Sequence, residues 1–114
     1  MRSGSVLSVF VALGLFVSQA SADPATERKF RAKCASCHGD DGKGATEQGK
    51  KMGIADMSTK AWQAKFTDDQ MKDTIIKGFK RDKEGKKQEM ESFKDKLTPE
   101  QIVGLVPYIR SLAK

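Results

Sequence analysis

The sequence predicts one small all-α domain of three to five helices, wrapped around a group that its own side chains do not supply. Four observations carry this. Thr67-Asp68-Asp69-Gln70 and Thr98-Pro99-Glu100-Gln101 are helix starts in which a hydroxyl and an amide three residues later satisfy each other's free N–H groups. Neither they nor the rest of the chain are accompanied by a convincing strand pattern. The working part of the chain is too poor in large apolar residues to build an ordinary core. Both cysteines and the single histidine also fall within five residues of one another.

The chain has 114 residues, enough for one domain. Met1 and Arg2 make a short basic start, Val6 to Val17 is an apolar stretch, and Ala20-Ser21-Ala22 has the small-x-small form of a secretory cleavage site. The stretch is shorter than the roughly 20 residues that cross a bilayer. Residues 1–22 therefore read as a signal peptide cleaved near Ala22, and residues 23–114 as a periplasmic working protein with no stable membrane insertion. An uncleaved membrane anchor is the alternative.

Residues 23–114 contain only 14 Leu, Ile, Val and Phe, and carry a net charge of +5. Such a composition is that of a disordered chain. Burial at about 25 cal/mol per Å² does not offset the ordering entropy of so polar a small domain. A folded state needs a further source of core.

The elements follow in order. Asp23-Pro24 is a cap followed by proline at the first helical position, opening a helix to about Cys34 with Phe30 and Cys34 on one face. Gly39 to Gly44 is a turn-rich loop, and the stretch to Thr59 has no clear period. A short helical segment spans Ala61 to Phe66. The helix opened by Thr67 carries Met71, Ile75 and Ile76 and ends at Gly78. A basic, glycine-containing segment runs to about Lys87. The last helix places Ile102, Leu105, Val106, Ile109 and Leu112 on one face, with a kink expected at Pro107.

Cys34-Ala35-Ser36-Cys37-His38 is the attachment signature of c-type haem. Two thiols one turn apart can each add to one haem vinyl group, and the neighbouring imidazole then lies beneath the iron. The haem disc would supply the missing apolar core. A thioredoxin-like dithiol belongs at a strand-to-helix junction, and no strand is evident. A disulfide closing so short a loop stabilises little. A tetrahedral zinc site wants four ligands, where this chain has three Cys or His residues.

The early haem motif, a basic loop, a methionine and a closing amphipathic helix together resemble the class I c-type cytochromes of the small bacterial kind. The resemblance is carried by Phe30 to Gly39 and by Met90-Glu91-Ser92-Phe93 through Leu112; residues 45–66 match loosely. It implies a cytochrome c-like fold around one haem c, held covalently by Cys34 and Cys37 and axially by His38 and a methionine. Met90 matches the family position, and the 52 residues separating it from His38 let the chain wrap the disc. Met52 and Met57 remain alternatives with a shorter reach, and Met71 reads as core filler. The resemblance also gives Trp62 a possible contact with a haem propionate, with core packing as its other reading. It expects the His38 ring N–H to donate to a carbonyl in Gly49 to Ile54, which lacks the family's proline. Phe30 and Tyr108 match a structural contact between the first and last helices.

His/Met ligation suits a single-electron carrier rather than an enzyme, because both axial positions are filled and a thioether raises the potential; the expectation is a monomeric carrier of a respiratory chain. The run from Lys77 to Lys87 has a net charge of +4 and offers a docking face for an acidic redox partner; a solvated loop is the other reading. Export and scarce aromatics argue against nucleic acid. The alternatives are a haem peroxidase, a thiol-disulfide oxidoreductase using the Cys-x-x-Cys pair, and a membrane-tethered subunit of a respiratory complex.

Overall fold

Asp23 caps the first helix through its carboxylate, which accepts from the Ala25 amide, and Pro24 takes the first helical position. The computed structural model describes residues 23–114 together with residues 4, 9–12 and 14. Apart from those six positions, the stretch read as a signal peptide and its cleavage site lie outside the described residues. The helices are α1 (Pro24–Lys33), α2 (Ala35–His38), α3 (Glu47–Met52), α4 (Lys60–Lys65), α5 (Asp68–Lys77) and α6 (Pro99–Ser111). Between α5 and α6 the chain forms a hairpin of β1 (Phe79–Lys83) and β2 (Lys86–Met90).

Both expected capping boxes form. Thr67 and Gln70 close one at α5, and Thr98 and Gln101 close the other at α6. Thr46 and Thr59 cap the shorter α3 and α4 with their hydroxyls. The α6 helix continues through Pro107 to Ser111.

Two expectations are corrected. The described residues form six helices rather than three to five, and the domain is not all-α. The segment read as a basic loop is an antiparallel hairpin in which Phe79 pairs with Met90, Arg81 with Gln88, and Lys83 with Lys86. Its turn is Glu84-Gly85, both at positive φ (+52° and +78°), as a two-residue hairpin turn of the primed type demands. The hairpin escapes sequence reading because β1 is exposed along its whole length and Gln88 is the one buried residue of β2. A strand is recognised by apolar alternation, and here charged side chains occupy seven of the ten strand positions.

The core is made mainly by α1, α5, α6 and the segment after β2. Phe30 and Tyr108 meet with ring centroids 4.9 Å apart and planes tilted by 48°, the expected contact of first and last helices and a favourable aromatic geometry. Gly104 lets α6 approach α1, since a β-carbon there would stand 3.3 Å from the Thr26 hydroxyl. Arg110 ties α6 to α4 and α5: its Nε donates to Asp68 at 2.8 Å, and its terminal nitrogens donate to the Gln63 and Phe66 carbonyls. Gln63 in turn donates to the carbonyls of Met57 (2.7 Å) and Ile109 (3.0 Å). This network makes one frame of three helices. No helix of the described residues is long and apolar enough to cross a membrane.

Candidate functional site

Cys34 ends α1 and begins α2, so the motif occupies one tight turn. Its carbonyl accepts from the amides of Cys37 (3.3 Å) and His38 (2.9 Å). Gly39 then leaves the helix at φ +77°. The open carbonyls at the end of this turn find partners across the chain. The Thr46 hydroxyl donates to those of Ser36 (2.8 Å) and Cys37 (3.1 Å), and the Gly44 amide donates to that of His38 (2.7 Å). A β-carbon on Gly49 would stand 2.4 Å from the Cys37 carbonyl oxygen, so α3 packs backbone to backbone against the motif. Cys34, Cys37 and His38 are thereby held by a rigid two-helix corner.

These three residues line a cavity of about 700 Å³, within the roughly 300–1,000 Å³ usual for small-molecule and cofactor sites. Phe30, Ile75, Phe93, Leu105 and Ile109 make apolar wall, and Trp62 lines it beside Phe66, with ring centroids 5.0 Å apart. All four methionines of residues 23–114 reach this wall. Met57 and Met71 are buried in the core cluster, whereas Met52 and Met90 are half-buried.

Met90 closes β2 and begins a segment anchored to the end of α5. The Phe93 amide donates to the Ile75 carbonyl at 3.0 Å, and the Ser92 hydroxyl donates to that of Ile76 at 2.5 Å. From the other side, the buried Gln88 amide group donates to the carbonyls of Met52 and Gly53, each at 2.9 Å, fastening β2 to the end of α3.

The electrostatics of the motif suit ligation more than thiol exchange. Burial lowers the His38 pKa and so keeps the imidazole neutral, the form with one N–H and one free lone pair. Its Nδ1 is buried and has no hydrogen-bond partner among the described residues, and the carbonyl expected from Gly49 to Ile54 does not supply one. Cys34 is pushed up to about 11, by burial first and then by the nearby Cys37 and Glu91 charges. Reactive exchange thiols have the opposite bias, a depressed pKa in an electropositive setting. Both cysteines are free.

Sequence reasoning missed the parts played by Gln88, Thr46 and Gly49. Thr46 and Gly49 carried a weak signal, a helix-capping threonine followed by glycine. Gln88 carried none, being one polar residue in a charged run.

An apolar cavity with two thiols one turn apart and a neutral, unpartnered imidazole on its wall has the donor set of a covalently attached haem. The fold and site together define a small c-type haem protein. The family model described as cytochrome c matches residues 26–113, and the chain belongs to that family. Among solved structures it is similar to the KustC0563 c-type cytochrome at 34% identity and a TM-score of 0.65, over 78% of this chain and 98% of that one. No curated protein matches. The chain is thus a small monohaem class I cytochrome c, with a covalently bound haem c and its iron.

Proposed function

We propose that residues 23–114 form an exported, monomeric single-electron carrier. Cys34 and Cys37 would hold the haem through thioethers, and His38 and Met90 would ligate its iron. The observation that carries this reading is the shared cavity: its wall joins the rigid Cys34–His38 corner to Met90 on the anchored end of β2. Met90 is half-buried and followed by a tethered segment, whereas Met57 and Met71 are core residues. Trp62, on the same wall, is proposed as a propionate contact.

When bound, haem supplies a one-electron ferric/ferrous couple whose potential a thioether ligand raises. The protein's part would be to hold the iron with His38 and Met90, which would leave no position open to oxygen or peroxide, and to keep these two side chains still. The Arg110–Gln63 network and the Gln88 anchor serve that rigidity. The exposed lysines of the hairpin, Lys80, Lys83, Lys86 and Lys87, border a cavity that Phe79, Arg81 and Gln88 line. They give an acidic redox partner a face to meet, where complementary charge speeds encounter. Export to the periplasm is proposed from residues 1–22 read as a cleaved signal peptide, and a respiratory chain is proposed as the carrier's setting.

The test is the visible spectrum of protein from a host competent in haem attachment, in both oxidation states. Low-spin reduced bands with a weak long-wavelength sulfur-to-ferric-iron band are expected, from haem that resists acid-acetone extraction. A high-spin spectrum that shifts with carbon monoxide would overturn the His/Met carrier.

A further inference from the structure

Side chains alternate across a strand, so the hairpin has an inner and an outer face. The inner face carries Phe79 and Arg81 on β1 and their register partners Met90 and Gln88 on β2, and all four line the cavity. Arg81 is held in an unusual way for a residue on an exposed strand. Its Nε donates to the Gln88 side-chain oxygen at 2.7 Å, and its guanidinium lies over the Phe79 ring, 4.9 Å from the centroid. Gln88 is itself immobilised, being 5% exposed and bonded to the carbonyls of Met52 and Gly53. Among the described residues, only Nε–H of the five guanidinium N–H donors is engaged, and Arg81 has no carboxylate partner.

The carboxylates on the cavity wall are paired elsewhere and do not claim Arg81. Glu89 pairs with Lys80 at 3.2 Å, and Glu91 pairs with Lys96. Lys33 reaches the wall without a side-chain hydrogen bond to fix it. His38, Cys34 and Cys37, the remaining titratable groups there, belong to the attachment corner. Arg81 is therefore the one preoriented cation on this wall with free donors, and a planar guanidinium matches a carboxylate in a two-pronged pair.

We propose that Arg81 binds a haem propionate carboxylate, and that Gln88 is the positioning residue that sets its guanidinium. The inference rests on haem occupying this cavity and stands whichever methionine ligates the iron. A fixed positive charge here favours the ferrous state and holds the propionate ionised to lower pH. It also links the hairpin, and with it the strand that carries Met90, directly to the rim of the haem.

The test is the reduction potential as a function of pH for the haem-loaded protein and for Arg81→Gln, Arg81→Lys, Gln88→Ala and Lys87→Gln. Lys87→Gln removes the same charge from the outer face of the same hairpin. Arg81→Gln should lower the potential and move the pH-dependent region of the profile upward, toward neutrality. Gln88→Ala should do the same more weakly, Arg81→Lys should recover only part of the loss, and Lys87→Gln should leave the profile's shape unchanged. If Arg81→Gln and Lys87→Gln shift the potential equally with no change of shape, Arg81 is an ordinary surface charge and the proposal fails. If Arg81→Gln does not yield folded protein, Arg81→Lys decides: an unaltered potential and profile would overturn the pairing. The sulfur-to-iron band of the unaltered protein tests the axial ligands separately.

Discussion

Gly78 lies directly against the backbone of Met90: a β-carbon on Gly78 would stand 2.3 Å from the Met90 carbonyl oxygen and 2.7 Å from the Ser92 amide nitrogen. Gly78 also has φ +63°, a conformation costly for a residue with a β-carbon. The residue that ends α5 therefore sets where the proposed distal ligand begins.

Gly78→Ala should accordingly cost more than about 1 kcal/mol, combining an unfavourable φ with a backbone clash. In a domain of this size that lowers the melting temperature by at least ~4 °C, and the sulfur-to-iron band should weaken because the displaced segment carries Met90. A variant with unchanged melting and spectrum would show that the close approach has no energetic weight.

Met90 and Met57 should separate cleanly. Met90→Ala should keep haem attached while opening the sixth position to added carbon monoxide or imidazole. Met57→Ala should destabilise the fold by ~2–5 kcal/mol through a core cavity yet retain the parent spectrum. Loss of the long-wavelength band in Met57→Ala alone would transfer the ligand role to Met57.

A pH effect is expected at Asp56. Its carboxylate accepts from the Ser58 hydroxyl at 2.5 Å and the Ser58 amide at 2.8 Å, and these bonds hold its pKa below the ordinary aspartate value. A carboxyl depressed in the folded state stabilises it above the unfolded-state pKa, and that contribution disappears as pH falls through the lower folded value. Titration of the Asp56 carboxyl by NMR should show the depression, and Ser58→Ala should raise the pKa back toward that of an unbonded carboxyl. Equal values in both proteins would remove the Ser58 hydroxyl as a cause.

Without haem, residues 23–114 should lose most of their helical structure. The cavity of about 700 Å³ is ringed by the same residues that form the core, Phe30, Ile75 and Leu105 among them, so its contents complete the packing. Circular dichroism of chain produced without haem attachment checks this. Native-like helicity with a cooperative melt would mean that the side chains suffice.

Much of the site was legible in the sequence because its logic is local. The Cys34–His38 spacing is one helical turn, and a turn is decided by residues in immediate succession. The capping boxes at Thr67 and Thr98 are local too, since each hydroxyl and amide are three residues apart. The hairpin was not legible, because charged residues cover its two strands and Glu84-Gly85 lacks the usual Asn-Gly or Asp-Gly turn signal.

The amino-acid sequence by itself determined the haem-attachment corner, the helix starts, the Phe30–Tyr108 pairing through its family resemblance, and the need for a core that the side chains cannot supply. The tertiary structure decided what depends on chain path. Gln88 meets the Met52 carbonyl across 36 residues, and Arg110 meets Gln63 across 47. The same path brings Gly78 under Met90 and turns Arg81 toward the cavity. A polar side chain has many partners within its chemical means, and only the folded backbone selects among them by leaving specific carbonyls buried and in need of a donor.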